Sequence, residues 1–241
     1  MSLRIFETDP NALPKTFSSD FVGRFRAGQL LNNRPVALPA WRITTGDPEV
    51  ADAVAGLYGG TPQEWETTKE DNREVLTNAD SVRVIVEGAE AVSSRMALYG
   101  MQGVIHACDG VAFLEPEEDR GKPCGCPSDF KERRALAKSG RGPKPDIRIS
   151  YRLADAPSLG VFRLVTSSWD FTRSLPATLT ALDKVQGPAL CDLYLELVEF
   201  TTSAGVDVTY RHPLLKVRGP APADVEAALP SLKKSLEEPP F

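Results

Sequence analysis

The chain has 241 residues, 41% of them hydrophobic and 25% charged, which is enough apolar material for one sizeable core or two small ones. A formal net charge of −5 argues against a surface built for non-specific attachment to DNA or to anionic membrane. No run approaches the roughly 18 apolar residues of a membrane span, and the opening MSLRIFETDPNALPK has no basic segment followed by an apolar one, so the reading is a cytoplasmic protein with no membrane partner and no secretion signal.

The first 33 residues look irregular, interrupted by Pro10, Pro14, Gly23, Gly28 and the pair Asn32-Asn33. Within them Phe17, Phe21, Val22 and Phe25 alternate with Arg24 and Arg26, as a docked N-terminal arm or a short helix. Val36 to Thr44 is a strand broken by Pro39, which suits an edge or a bulge. Asp47-Pro48-Glu49 is a helix start: a capping Asp, a Pro at the first position and an early acid. Val50, Ala53, Val54 and Leu57 then recur at helical spacing until Gly59-Gly60.

Residues 67–80 are polar and fit a hairpin or a loop. Val82 to Val86 is a strand by its β-branched content, and Arg95 to Met101 pairs with a neighbour. Residues 110–145 carry much charge, Pro and Gly, and read as an insertion with little apolar content of its own. Ile147 to Leu153 and Val161 to Thr166 alternate apolar and polar residues, as half-buried antiparallel strands do. A helix follows from Ser168 or Asp170 to about Asp183, despite Pro176. Leu193 to Phe200 and Val206 to Val217 form a second hairpin around Ser203-Ala204-Gly205, and an amphipathic helical stretch ends in Pro239-Pro240. The pattern predicts an α+β fold: a mainly antiparallel sheet, a few short helices, one domain over 1–218 and a helical tail over 219–241.

Two clusters point toward function. Lys131, Arg133, Arg134, Lys138, Arg141, Lys144 and Arg148 face only Glu132 and Asp146, a local net of +5 that leaves −10 for the remainder. Such a patch is a solvated loop or a surface for phosphates or an acidic protein. The other cluster is His106-x-Cys108 and, fifteen residues on, Cys124-x-Cys126. Disulfides are rare in a reducing cytoplasm, whereas zinc takes four N or S ligands, two from each of two turns. Gly110, Gly121 and Gly125 supply permissive backbone, and a structural metal orders a loop too polar to order itself. The alternative is a set of incidental thiols with His106 as a strand residue. Cys191, alone in an apolar strand, belongs to the core.

Chemistry is harder to find. There are two histidines, and no Gly-rich phosphate loop, nucleophile elbow or His-Glu-x-x-His pair. Ser167-Ser168 resembles a helix cap, His212 has no acidic or nucleophilic partner in a known pattern, and four protein ligands would close a zinc site to substrate. The chain reads as a non-enzyme.

Tyr58-Gly-Gly with Trp65, Cys108-Asp109-Gly110, Cys124-x-Cys126, Pro143-Lys144-Pro145, and Leu159 to Leu164 with Ser167-Ser168-Trp169 stand in an order and spacing that resembles the recombination directionality factors of actinobacterial temperate phages, partners of a Streptomyces phage serine integrase. The resemblance begins at the N-terminus and runs to the strands near residue 218. It implies an accessory protein without enzymatic activity. Such a protein binds the integrase on its attachment sites, redirects its coiled-coil region, permits attL × attR excision and inhibits attP × attB integration. DNA is then touched only through the integrase. Relatives often carry a further cysteine just before the Lys-Pro, where this chain has Pro143; either His106 takes its place or the site is degenerate. The competing reading is a nucleic-acid-binding accessory of phage DNA replication using residues 131–148.

Overall fold

A computed structural model describes residues 21–31, 34–67, 69–202 and 205–223. Among them are twelve strands in one branched sheet and three α-helices. The fold is mostly β rather than α+β, and the sheet is mixed: β1 (Gly23–Leu31) runs parallel to β10 (Phe162–Thr166), while the other pairs are antiparallel. The expected arm or short helix is therefore a strand from Gly23 onward; Phe17 lies outside the described residues, as does the amphipathic tail beyond residue 223. Strand β2 (Arg34–Thr45) pairs with β1 on both sides of Pro39, and the irregularity expected at that proline is present: Arg26 lies opposite Arg42 but Gly28 opposite Ala37. The bulge forms on β2, where Leu38 to Trp41 stand against Ala27 alone, and Gly28 meets its start closely: a Cβ added there would lie 2.7 Å from the Val36 carbonyl oxygen.

Strand β9 (Lys144–Leu153) is the hub. One edge pairs with β10, Phe162 opposite Tyr151. The other pairs first with β6 (Val92–Gly100), Ala97 to Val92 opposite Lys144 to Ile149, and then with β5 (Ser81–Val86) at Arg152 and Leu153. From β5 the sheet continues to β11 (Ala189–Thr201) and β12 (Asp207–Pro220). From β6 it continues to β7 (Gly103–Cys108) and β8 (Phe113–Glu115). Beyond β1 and β2 lie β4 (Arg73–Leu76) and the short β3 (Pro62–Glu64).

Period-two alternation sorts the side chains. Phe25, Trp41, Ile43, Ile147, Ile149, Tyr151, Phe162 and Leu164 face one continuous core. Phe25 is its centre, edge-on to Trp41, Tyr151 and Phe162 at 5.6–5.7 Å. Helix α1 (Pro48–Tyr58) starts as the sequence predicts, Asp47 accepting the Glu49 N–H, but buries Val50, Ala51 and Val54 while Leu57 stays exposed. Helix α3 (Trp169–Val185) is capped by Ser168 and lays Phe171, Leu175 and Leu182 into the core, with β12 among its neighbours. Pro176 is the eighth residue of this helix, about two turns in, on an exposed face. No helix among the described residues is long and apolar enough to cross a membrane.

The residues between the core positions put arginines on the opposite face: Arg24 and Arg26 of β1, Arg42 of β2, Arg148 of β9 and Arg163 of β10. Arg24 lies opposite Arg163 and Arg26 opposite Arg42. Carboxylates hold these like charges together. Asp71 accepts from Arg24, Arg26 and Thr44, and Asp146 from Arg95, Arg148 and Tyr99. Burial opposes ionisation of both acids, yet these hydrogen bonds and positive charges outweigh it and hold both below the ordinary carboxylate range. A depressed folded-state value means the stabilisation is complete above about pH 4 and is lost as pH falls through the depressed value. Asp71→Asn is therefore expected to lower stability at neutral pH by about 2 kcal/mol and to flatten the acid limb of the stability profile in urea titrations. Trp41→Ala, emptying a site with no exposure, is expected to cost about 3–5 kcal/mol at every pH.

Candidate metal centre

His106 and Cys108 are two apart on β7, so the pleat sends both side chains to one face, while Ala107 between them is fully buried on the other. The chain then turns at Asp109, whose carboxylate accepts the Val111 and Ala112 N–H groups at 2.8 Å. It returns as β8 and comes back a third time. Phe113 N–H donates to Lys122 O, Ala112 bridges to Pro123, and Cys124 N–H donates to Val111 O at 2.8 Å. This ladder fixes Cys124 beside Cys108. Gly125, at φ +68, provides the left-handed residue that turns Cys126 back toward the same point.

The four ligand atoms all lie within 4.8 Å of one another. Cys126 Sγ is 3.9 Å from Cys108 Sγ and 3.6 Å from His106 Nε2. Ligands placed tetrahedrally at 2.0–2.3 Å from a zinc ion lie roughly 3.5–3.8 Å apart, so spacing and donor set fit a small metal ion. The thiols are crowded: burial pushes Cys108 up to about 12 and also raises Cys126. Cys124 is lowered, burial being outweighed by hydrogen bonds from the Cys126 backbone and the neighbouring thiols and by the Arg133 charge. Burial lowers His106 and favours the neutral, ligating imidazole.

Around the cluster is a small second core of Met96, Cys108 and Cys124, with Phe113, Cys126 and Trp169 packed on it. Phe113 lies 4.4 Å from the His106 ring. Helix α2 (Phe130–Lys138) begins four residues after Cys126, with Asp129 accepting the Lys131 and Glu132 N–H groups. Phe130 stands edge-on to Trp169 at 5.2 Å, and Arg133 donates to Gly110 O at 2.7 Å.

The four side chains grouped from the sequence do lie together, whereas this helix and the contacts of Phe130, Arg133 and Trp169 are not evident in it. The capping spacing Asp129-x-x-Glu132, followed by strong helix formers, was the available sign. Lys131 to Arg148 is thus a helix and a strand rather than a loop. Cys191 is in the main core with no exposure. His212 is buried against Glu196 at 3.3 Å, and Ser168 is a cap with Ser167 exposed beside it.

Comparison with known families matches the chain over residues 22–218 to the one described as Gp3-like, recombination directionality factor-like. No solved structure matches. Gly125→Val introduces a β-branched side chain where the backbone is left-handed and is expected to cost about 1–2 kcal/mol locally. Hydrogen exchange should quicken at Cys124 and Cys126 while β11 is unchanged.

Proposed function

Because the chain belongs to the Gp3-like, recombination directionality factor-like family, we propose that it binds a phage serine integrase directly and switches that enzyme's direction without catalysing a step itself. On this reading it acts in the host bacterial cytoplasm, engages the integrase on its attachment sites and biases the coiled-coil region. Synapsis of attL with attR then proceeds and that of attP with attB is inhibited. The family match is the observation that carries the reading.

The thermodynamic requirement is differential affinity. The factor shifts the balance only by as much as it binds the excision-competent arrangement more tightly, about 1.4 kcal/mol for each tenfold. Surface shape supports a protein partner. Pairing of β11 with β5 ends at Tyr194 opposite Ser81, but β11 and β12 continue together to Thr201 opposite Asp207. The result is a two-stranded ribbon with Phe200 and Val206 about half exposed near its end. Apolar groups displayed in this way lower the free energy of association when covered.

The four-ligand cluster takes a structural role in this proposal. A zinc ion held by His106, Cys108, Cys124 and Cys126 would tie the segment after β7 to the sheet, with no position left for substrate. Metal titration of the reduced protein is expected to give one ion per chain, and Cys124→Ser to lose most of that affinity while the main core still unfolds cooperatively.

The decisive experiment is a purified recombination assay with the cognate integrase. Adding the protein is expected to turn on attL × attR recombination and suppress attP × attB. An integrase active on attP × attB but unmoved on both pairs would sink the reading. Phe200→Asp with Val206→Asp is expected to weaken stimulation at least tenfold, with an unchanged unfolding midpoint.

A further inference from the structure

We propose that this protein also binds single-stranded DNA, along a basic strip that runs from helix α2 into a groove on the arginine-bearing face of the sheet. The inference goes beyond the integrase-partner reading and does not depend on it.

The strip begins with cations that have no counter-charge. Most of the described arginines outside it, from Arg24 and Arg26 through Arg95 to Arg218, reach a carboxylate. Lys131, Arg134, Lys138, Arg141 and Lys144 are all exposed, and none has a carboxylate within ion-pair distance among the described residues. The first three recur at helical spacing and lie on one side of α2. They span about 10 Å of helix axis, against about 3.4 Å per phosphate along a strand. Arg133, on another side, is committed to the Gly110 carbonyl and holds the helix in place. Five exposed cations without a carboxylate partner make a local positive field in a chain of net charge −5, and a polyanion is the ligand such a field attracts.

Lys144 connects this stripe to the sheet. It begins β9 and lines a groove of about 490 Å³ together with Phe21, Arg24, Tyr99, Arg148 and Arg163. A second groove, of about 1050 Å³, shares Arg24, Val165 and Ser167 with the first and continues past Trp65, Lys69 and Arg211. Aromatic rings and guanidinium groups alternate along it. Arg24 and Arg163 lie against Phe21 at 4.8 and 4.2 Å, Arg42 lies over Trp65 at 4.4 Å, and Tyr99 is about half exposed. The carboxylates lining the two grooves are Asp146 and Glu74, set against Arg24, Lys144, Arg148 and Arg163 in the first and Arg24, Arg26, Arg42, Lys69 and Arg211 in the second, so the balance is positive.

This chemistry suits a single strand. Cations follow the phosphates, and rings and guanidinium planes stack on bases that are free to splay. A duplex keeps its bases stacked inside a convex cylinder and offers nothing to rings in a concave groove. An acidic protein segment would use the charges but not the stacking.

The test is fluorescence anisotropy with the full chain and no integrase. Labelled oligodeoxythymidine of about 20 nucleotides is compared with a duplex of equal length, with oligouridine, and with polyglutamate as competitor, from about 50 to about 200 mM salt. The single strand should bind, with log affinity falling against log salt at about −0.7 for each phosphate neutralised. Lys131→Glu with Arg134→Glu and Lys138→Glu should lose at least tenfold in affinity and flatten that slope by about 2. Tyr99→Ala should lose about fivefold or more with the slope unchanged, while Tyr99→Phe should bind as the parent does. Lys144→Gln, a neutral change at an exposed site, serves if the triple variant fails to fold, and should lower the slope by about 0.7.

No retention of the single strand at the lowest salt overturns the proposal. So does equal binding by these charge variants, equal or tighter binding of duplex or oligouridine, or displacement by polyglutamate as effective as by unlabelled strand. The integrase assay is unaffected by any of these outcomes, so the two readings fail separately.

Discussion

Strand β9 is hydrogen-bonded along both edges, and on one of them it has two partners in succession, β6 and then β5. The rest of the molecule is arranged around that constraint. β5 and β6 run the same way along β9, separated by a short 3-10 turn at Ala89–Ala91. At the break the sheet forks. One branch carries β11, β12 and the helix packed on them; the other carries β7, β8 and the thiol cluster. A buried arginine marks the fork, Arg152, which pairs with Glu87 at 3.4 Å and is only 2% exposed. A charge so placed is tolerated only while its partner remains, so the fork has one register.

The fork also separates the main core from the small core under the thiol cluster, and the two are unequal in kind. The main core is apolar and crossed by β1, β2, β9 and β10, where dispersion and water release suffice. The branch through β7 and β8 has too few large apolar side chains to order itself. Its centre is Cys108 and Cys124 under Phe113 and Trp169, so sulfur and aromatic carbon stand where aliphatic groups would be expected. A metal ion held by the cluster would suit that position, since it would add cohesion that the local sequence lacks. Helix α2 follows Cys126 almost at once, and its direction is held by Phe130 against Trp169 and by Arg133 on the Gly110 carbonyl.

Charge is distributed with the same division. On the outer face of the main sheet, arginines are held in networks with Asp71 and Asp146, which makes that face both rigid and positive. On α2 the cations stand unaccompanied. The two regions meet at Lys144, the residue that ends the α2 segment and begins β9, so the hub strand sets both the packing and the field.

The sequence by itself determined much of this. Alternation in Ile147 to Leu153 and Val161 to Thr166 gave the pair at the centre, since a period of two has one reading in a half-buried strand. Asp47-Pro48 and Ser168 started helices where they appear, because capping is a local matter. The grouping of His106, Cys108, Cys124 and Cys126, which the fold brings together, is legible from residue type and spacing alone. Gly23 to Leu31 does not look like a strand in the sequence because Gly28 resembles an interruption, whereas in the folded chain it is a paired position that lets β2 approach closely. Helix α2 was missed because its stability does not come from a buried stripe; it depends on Phe130 meeting Trp169 and Arg133 meeting Gly110, contacts between segments far apart in sequence. The parallel pairing of β1 with β10, the fork of β9 and the junction of the basic stripe with the arginine face were likewise decided only by tertiary structure. Register between distant strands is set by which apolar faces can be buried together, and no local pattern carries that information.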